Sequence, residues 1–557
     1  MKKLFHKGRF TGWTAIALFS LLLCVVFILY PFILLIQQSM FGEGTGFSMD
    51  NYTKIFTTKK YLTALRNSFI TAGGGTILAG LVGIPMAYIV SRTDIRFKKL
   101  IETLCILSML SPPFIDAYAW IMLRGRMGII TRIYEWLFPF IEEIPSIYGF
   151  RGILLVFTVK LFPYFFLYVS GALNKMDASL EEASENLGIS GFQKLCKITM
   201  PLIWPTIASS ALIVFMTALA DYGTPALLGE GRVTVLPVLI YNEYLGEVTK
   251  NTALANSLSV IMIAIALIIL VLQKKSIASK SYYMSGLRRP RLINLKPLPR
   301  VLCYSFISVV LFVSMLPLGT IVYTSFRNTN GPSFADGYGF GSYITAFKNL
   351  GLSIRNTFVY SLVALAIIVV LAILLAYIIV RKPGPLASCV DMLIMFPYII
   401  PGSIIGIMLV KAFNTGPIVL SGTAFIMIMS YCIRKMPYTL RSSIGILYQI
   451  EPSIEEASIN LGVPPLKTFL KTTAQLMIPG VLSGAILSWV AVINELSSSM
   501  IMYTGRTVTM AITIYREVSV NTHYGVAAAL GTILFVATVI SLVLFRKVSG
   551  DRSISEF

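Results

Sequence analysis

Two polar segments of this 557-residue chain carry the residues whose types and spacing are most informative. Residues 179–205 and 453–479 match each other when one is shifted by 274 positions onto the other. The chemistry they can supply is electrostatic: a Ser-x-x-Glu spacing, from Ser179 and from Ser453, predicts a capping box, and the glutamates favour the positive end of a helix dipole. A glycine further on predicts a turn with positive φ that ends the short helix. The matching residues are Glu181, Glu182, Ala183 and Gly188 in the first segment, and Glu455, Glu456, Ala457 and Gly462 in the second.

A second set of charged residues matches at the same shift and closes or interrupts apolar stretches. An acid at membrane depth is costly unless it faces a cavity or a partner, so two such carboxylates at one mouth would favour a path for a cation. They could also be solvated helix ends, or pair with arginines that shape a loop. The two matching bases within the apolar stretches could pin helices together or contact a ligand. The candidates for a substrate path are Asp221, Glu495, Arg232, Arg506, Lys160 and Arg434.

The composition predicts the elements that hold these residues. Hydrophobic residues make up 56% of the chain and charged residues 13%, whereas about a quarter of the residues in soluble domains are charged. Apolar runs of about twenty residues predict membrane helices, and the first run lacks a cleavage site and so predicts an uncleaved span. We expect an all-α polytopic membrane protein with about twelve spans, at 13–36, 69–91, 102–123, 150–172, 203–222, 254–272, 301–325, 358–380, 389–410, 418–440, 478–500 and 525–545.

Lysines and arginines predict the orientation of these spans. With both termini in the cytosol, the short inside loop that holds Arg92, Arg96, Lys98 and Lys99 contrasts with Lys411 alone in an outside loop. This agrees with the positive-inside tendency, and it places both polar segments in the cytosol. The net charge of +21 then reflects topology and contact with anionic membrane lipid. Nucleic-acid binding is not favoured, because no basic face interleaved with aromatic residues is found.

The chain divides into two similar halves. We expect a first permease-like half at 1–272, a basic and proline-punctuated cytosolic linker at 273–300, and a second half at 301–557. Upstream of the polar segments the repeat is found at a shift of 289 positions, so the first half carries additional residues, for which 124–151 is the best place and where a short interfacial helix is expected. Both halves have the same orientation, which predicts a parallel repeat about an axis along the membrane normal.

Motifs for catalysis or metal binding are missing from the sequence. There are two histidines, and the six cysteines show no paired spacing, which argues against a disulfide framework and against a metal site. No Ser/His/Asp set and no Gly-x-x-x-x-Gly-Lys-Ser/Thr phosphate loop is present. We therefore expect no catalytic residue, no metal site and no cofactor on this chain.

The two polar segments also carry a family resemblance. The Glu-Ala-Ser…Gly pattern at Glu182–Gly188 and Glu456–Gly462 resembles the cytosolic coupling loop, or EAA loop, of permease subunits of bacterial ABC importers. One departure is that Pro201 of the first copy is Gln475 in the second. In that family the short helix of the loop seats in a cleft on an ATP-hydrolysing subunit and passes its closure to the membrane helices. We name residues 179–205 and 453–479 the coupling segments; the alternative is two amphipathic cytosolic loops without a partner.

The resemblance implies an architecture and partners. It implies the type I ABC importer permease fold, with two pseudo-two-fold-related halves of six helices fused in one chain of the cell's inner membrane. It further implies two separate ATP-binding cassette subunits, which would hold the ATP and Mg, and an extracytoplasmic solute-binding protein. Ala218–Gly229 and Asn494–Ser498 look like segments of fused two-half permeases of the ferric-iron importer group. Ferric iron is therefore the expected cargo, with thiamine, phosphonates and polyamines as alternatives, since carboxylates suit Fe³⁺ and also organic cations.

Two other classes of protein fit parts of the sequence. A secondary carrier would work on an ion gradient without an ATPase, and it would not need two matched cytosolic docking segments. A polytopic membrane enzyme would need a convergent catalytic set at one membrane face, which the sequence does not contain.

Overall fold

The long apolar runs form helices, as expected for a chain whose backbone N–H and C=O groups must be satisfied within each membrane segment. A computed structural model of the protein describes residues 12–41, 46–109, 113–125, 128–137, 146–174, 176–189, 191–246, 251–278, 292–330, 333–415 and 418–549.

The first half contains fourteen α-helices and two π-helical stretches within the described residues. In chain order they are α1 Gly12–Cys24, a π-helical stretch Val25–Leu29, α2 Tyr30–Met40, α3 Asp50–Thr57, α4 Lys59–Arg92, α5 Lys98–Met109, α6 Pro113–Arg124, α7 Ile129–Leu137, α8 Phe150–Asn174, α9 Ala178–Asn186, α10 Gly191–Lys194, a π-helical stretch Leu195–Thr199, α11 Met200–Leu219, α12 Gly223–Leu228, α13 Leu236–Leu245 and α14 Thr252–Ala278.

The second half contains, within the described residues, eleven α-helices, one π-helical stretch and a short antiparallel hairpin that was not predicted from the sequence. Its elements are α15 Pro297–Phe326, β1 Arg327–Asn330, β2 Ser333–Tyr338, α16 Gly341–Arg381, α17 Pro385–Ile399, α18 Gly402–Phe413, α19 Ala424–Gln449, α20 Pro452–Asn460, α21 Pro465–Thr468, a π-helical stretch Phe469–Thr473, α22 Ala474–Ile493, α23 Ser499–Met502, α24 Met510–Ser519 and α25 Tyr524–Ser549.

Nine helices in the described ranges are long and apolar enough to cross a membrane, and up to eleven spans result if each of two bent helix pairs counts as one. The predicted number of twelve is therefore not confirmed. The predicted span 418–440 corresponds to α19, which is not among these helices and carries Arg434, Lys435 and Arg441. This helix nevertheless lies in the interior of the second half, between α16 and α22.

The third predicted span of each half is broken. Helices α17 and α18 meet at 114°, so the straight span predicted at 389–410 is wrong. The cause lies at Ile400, which is extended because Pro401 disfavours helical backbone in the residue before it. In the first half, where a straight span was predicted at 102–123, α5 and α6 lie at 95°, and residues 110–112 between them are outside the described part.

Close helix packing forms the core of each half. In the first half α4 packs against α8 and α11, and in the second half α16 packs against α19 and α22. A β-carbon added at Gly83 of α4 would lie 2.5 Å from the carbonyl oxygen of Phe162 and 2.7 Å from Cβ of Phe165, both in α8. Small residues allow such backbone approach where van der Waals contact has to hold membrane helices together.

The halves interlock through their first and third spans. Helices α1 and α2 of the first half pack against α17 and α18 of the second, while α15 of the second half packs against α5 and α6 of the first. The first span of each half therefore packs against the third span of the other half. This reciprocal arrangement is what a two-fold-related pair of halves produces.

The same polar contacts recur in both halves. The amide of Asn67 donates to the carbonyl of Thr234 at 3.1 Å, and Ser68 Oγ accepts from the N–H of Leu236 at 2.7 Å. The second half repeats both contacts: Asn356 donates to the carbonyl of Val508 (3.0 Å), and Thr357 Oγ1 accepts from the N–H of Met510 (2.8 Å). The repeat seen in the sequence is thus a repeat of helix contacts.

The end of the linker is attached to the first half. Ile293 donates its N–H to the carbonyl of Arg92 at 2.8 Å and accepts from the N–H of Asp94 at 3.2 Å. The N–H of Leu295 donates to the Asp94 carboxylate at 3.2 Å, and Arg300 forms an ion pair with the same carboxylate. The linker is therefore attached to the first half at its C-terminal end, while its residues 279–291 lie outside the described part.

This attachment predicts a pH-dependent contact. The backbone N–H of Leu295, with the Arg300 guanidinium, holds the pKa of the Asp94 carboxyl below its usual value. A depressed pKa means that the contact stabilises the fold above the unfolded value of about 3.9 and that this contribution is lost as the pH falls through the folded value. We expect Asp94→Ala to raise hydrogen exchange several-fold at residues 292–296, measured at neutral pH by mass spectrometry. Asp336→Ala, at an exposed position of β2, is the control and should leave that exchange unchanged.

Candidate functional site

The first coupling segment forms a short helix with defined ends. Helix α9 begins after Asp177, whose carboxylate accepts from the N–H of Ser179 at 2.9 Å. It ends in a Schellman motif, in which Gly188 has φ +78° and donates to the carbonyl of Glu185 at 2.9 Å. The glycine turn is as expected. The predicted capping box is wrong, because the helix starts two residues before the Ser-x-x-Glu spacing requires.

The second coupling segment has the same end and a related start. Helix α20 begins after Glu451, which makes no side-chain cap, so the capping box predicted at Ser453 is also wrong. At the other end Gly462 has φ +86° and donates to the carbonyl of Ile459 at 2.9 Å, while Val463 donates to that of Ser458 at 3.2 Å. Both helices therefore stop at the matching glycine by the same backbone hydrogen bonds.

One glutamate of the second pair points into the protein. Glu455 is buried, and its carboxylate accepts from Arg381 Nε and from the hydroxyl of Tyr377, each at 3.1 Å. Arg381 also donates to the carbonyl of Ile450 at 2.6 Å. These contacts attach α20 to the end of α16, the longest helix. Arg381 and Tyr377 were not predicted as site residues from the sequence, although they match Arg92 and Tyr88 at the shift of 289 positions.

Apart from Glu455, the predicted coupling residues whose side chains the structure describes are exposed, although Ser184 between them is buried. Glu182, Ala183 and Gly188 are exposed, as are Glu456, Ala457 and Gly462. A large apolar side chain beside each glycine is also exposed: Leu187 by 79% and Leu461 by 85%. Exposed apolar groups rimmed by polar ones are typical of interaction surfaces. The backbone of Glu181 lies in α9, and its side chain is outside the described part of the chain.

A cavity of about 390 Å³ lies between the two halves. It is bounded by α8 and α11 of the first half and by α19 and α22 of the second, and residues of both halves line it. Four of the six predicted path residues are in its wall, together with one base that the prediction omitted. These charged residues are Lys160, Asp221, Arg434, Lys435 and Glu495.

Glu495 is the centre of a buried ionic cluster. Its carboxylate forms ion pairs with Arg434 and with Lys435 Nζ, the latter at 2.8 Å, and accepts from the N–H and the hydroxyl of Ser498 at 3.1 and 3.2 Å. Only 5% of Glu495 is exposed. Arg434 fits because Gly402 has no side chain: a β-carbon there would lie 2.5 Å from Nη1. Both oxygens of the Glu495 carboxylate are therefore bound by groups of the protein itself.

The matching residues of the first half are arranged differently. Asp221 accepts from the N–H of Gly223 at 3.0 Å and from the hydroxyl of Thr224 at 2.6 Å, and so caps the start of α12. Lys160 of α8 matches Arg434 but does not pair with the matching acid. Within the described residues its Nζ is buried and has no hydrogen-bond partner.

The two predicted arginines do not line the cavity. Arg232 and Arg506 are exposed in the loops that follow α12 and α23, and their side chains make no described contact with Asp221 or Glu495. The alternative that these arginines pair with the acids is therefore not what the structure has. Within the described residues no group of three or more His, Cys, Asp or Glu side chains could hold a metal ion.

Comparisons with known proteins agree with the duplicated architecture. Residues 79–275 and 368–552 each match the family described as binding-protein-dependent transport system inner membrane component. The chain is 30% identical over 548 residues to the ferric transport system permease protein FbpB of Actinobacillus pleuropneumoniae, covering 97% of this chain and 78% of the relative. It is 25% identical over 490 residues to the Fe(3+)-transport system permease protein FbpB 2 of Haemophilus influenzae, covering 87% of this chain and 89% of the relative.

A solved structure with similarity to this chain is the crystal structure of a bacterial alginate ABC transporter in complex with alginate pentasaccharide-bound periplasmic protein. The similarity has a TM-score of 0.40 at 18% identity and covers 47% of this chain and 92% of that one. The family match is more extensive, since its two regions, one in each half, together make up more than half of the chain. The chain therefore belongs to the family of binding-protein-dependent transport system inner membrane components, and it is a multi-pass membrane transport component.

Proposed function

We propose that this chain forms the membrane path of an ATP-driven importer for ferric iron and that two separate ATP-binding cassette subunits dock on its coupling segments. The observation that carries the proposal is the pair of matched helices, α9 and α20, each with exposed acidic and apolar residues and each ended by the same glycine turn. Two such helices at matching places suit two copies of one kind of partner.

The cargo is proposed from the relatives. The two permeases described above are named for ferric or Fe(3+) transport and align with most of this chain. This agrees with the likeness of Ala218–Gly229 and Asn494–Ser498 to segments of ferric-iron permeases. The cavity between the halves, with charged residues in its wall, is the proposed path.

The mechanism follows from how the coupling helices are attached. A loaded extracytoplasmic binding protein docks on one membrane face, and ATP with Mg, bound by the partner subunits, closes those subunits on the other face. The coupling helices then move together. Because Glu455 ties α20 to α16, this movement is passed to the membrane helices. The halves rock between inward-open and outward-open states around the cavity, with both chain termini in the cytosol.

The direct test is uptake by the assembled transporter in proteoliposomes. The chain, co-expressed with its ATPase subunits, should co-purify with them and should take up ⁵⁵Fe³⁺ only when ATP and the loaded binding protein are both supplied on the appropriate sides. Uptake driven by an ion gradient without any ATPase would show a secondary carrier instead. Purification without an ATPase subunit under mild conditions would also count against the proposal.

The glycine turns predict loss of coupling. Both Gly188 and Gly462 have positive φ and open space around them, so a side chain at either position is strained by the backbone and not by a neighbour. The strain is about 1–2 kcal/mol at each turn and more for a β-branched residue. We expect Gly188→Val with Gly462→Val to abolish most of the ATPase stimulation by loaded binding protein.

The control is Gly351→Val in α16, which also has open space but ordinary helical φ. It should retain stimulation. If the double variant transports as well as the unaltered protein does, the coupling role of these turns is wrong.

The two glutamates of α20 predict different defects. Replacing Glu455 leaves the partly buried Arg381 guanidinium without its charge partner, and breaking a buried ion pair costs about 3 kcal/mol. We expect Glu455→Gln to lower the thermal unfolding midpoint of the purified chain and to reduce transport. Glu456 is exposed, so Glu456→Gln should leave that midpoint unchanged and weaken only the binding of the ATPase subunits, measured by co-purification at increasing salt. Equal effects of the two variants on the midpoint would contradict this assignment.

A further inference from the structure

Within the described residues, both acids of the charged cavity wall already accept hydrogen bonds from the protein. Glu495 is held by Arg434, Lys435 and Ser498. Asp221 is engaged with the start of α12. A bare Fe³⁺ ion entering the cavity would therefore meet occupied acids and three basic side chains. The expectation of a simple cation path, drawn from the two carboxylates alone, does not fit this arrangement.

Lys160 is the charged group of the wall that lacks a hydrogen-bond partner within the described residues. It is 8% exposed and lines the cavity. Asp116 and Asp221 are acids whose charges act on it, and neither is hydrogen-bonded to its Nζ. An ammonium group buried without a hydrogen bond is costly. A ligand that carries negative charge into the cavity would remove that cost.

Among the residues that the structure describes, a buried base without a hydrogen-bond partner occurs at this position in the first half and not at the matching position of the second half. At the matching position Arg434 forms an ion pair with Glu495, which also pairs with Lys435, while in the first half Asp221 accepts from Gly223 and Thr224 at the start of α12. Arg434 thus has a carboxylate partner inside the protein, whereas Lys160 has no hydrogen-bond partner within the described residues and is available to a group that enters the cavity. Tyr164, Tyr398 and Tyr438 also line the cavity, and a tyrosine hydroxyl is a group that can donate to an oxyanion.

We propose that Lys160 binds an oxyanion group on the cargo, so that iron crosses this cavity as a ferric complex that still carries a carboxylate or phosphate oxygen ligand. This inference rests on the proposed function for the identity of the metal, but the anion site itself does not. The ammonium donates hydrogen bonds to the oxygen ligand, and the complex has less positive charge than the bare ion. The occupied acids then serve to orient the wall and do not bind the metal.

The test uses the permease with its ATPase subunits in lipid nanodiscs, and equilibrium dialysis against ⁵⁵Fe-citrate, citrate alone and inorganic phosphate. We expect Lys160→Met to weaken the binding of ferric citrate and of at least one free anion about tenfold, the effect of losing one hydrogen bond to a charged group. Lys160→Arg should retain binding within about threefold, which also shows that the site folds. Lys348→Met, an exposed lysine of α16, is the matched control and should bind as the unaltered protein does.

The outcomes separate this inference from the proposed function. If Lys160→Met binds ferric citrate as tightly as the unaltered protein or more tightly, or if the unaltered protein binds none of the three probes, the anion site is wrong. If the unaltered protein binds citrate or phosphate through Lys160 but shows no ATP-dependent iron uptake in proteoliposomes, the anion site stands and ferric iron as the cargo is wrong.

Discussion

A charge inside an apolar helical bundle must be matched by another charge or by hydrogen bonds, and the carboxylate of Glu495 shows how this chain meets that requirement. Four donors from Arg434, Lys435 and Ser498 surround it. The cluster joins α19 to the end of α22, and it lets α19 keep two adjacent bases in the interior of the second half. Without the carboxylate, two buried cations would repel each other beside the cavity. The position of α19, and with it one wall of the cavity, depends on this compensation.

The same requirement applies to α20, the helix of the second coupling segment. Glu455 is the member of the acidic pair that is buried, and it is matched by Arg381 and Tyr377 at the end of α16. Trp13 and Phe469 pack against the Tyr377 ring, with ring centroids 4.5 and 4.7 Å from it. A helix that would otherwise rest on the surface is thereby fixed to a membrane span. The contact between α20 and the membrane helix α16 is therefore a buried ion pair and not a flexible loop.

Much of the architecture could be predicted from the sequence, because apolar runs and a duplicated pattern are local signals. The glycine turns at Gly188 and Gly462 were also predictable, since only glycine adopts their φ without strain. The starts of the helices were less predictable, because Asp177, two residues upstream of Ser179, caps α9 instead of Ser179. Pro401 was a signal for the bend at Ile400. A hydropathy window averages over about twenty residues, so it does not detect a bend caused by one proline.

The partners of the buried charges could not be predicted, because they are set by tertiary packing between distant parts of the chain. Glu495 pairs with Arg434, 61 residues away, and not with the nearby Arg506. Fusion of the two halves makes a further difference possible. In a symmetric dimer of identical chains, every residue of one half is repeated in the other, so Lys160 and Arg434 would be the same residue. A single chain that contains both halves can keep α9 and α20 alike and let the cavity become asymmetric. Arg434 and Lys160 occupy matching positions of the two halves but differ in their contacts. Arg434 pairs with Glu495, whereas Lys160 Nζ has no hydrogen-bond partner within the described residues.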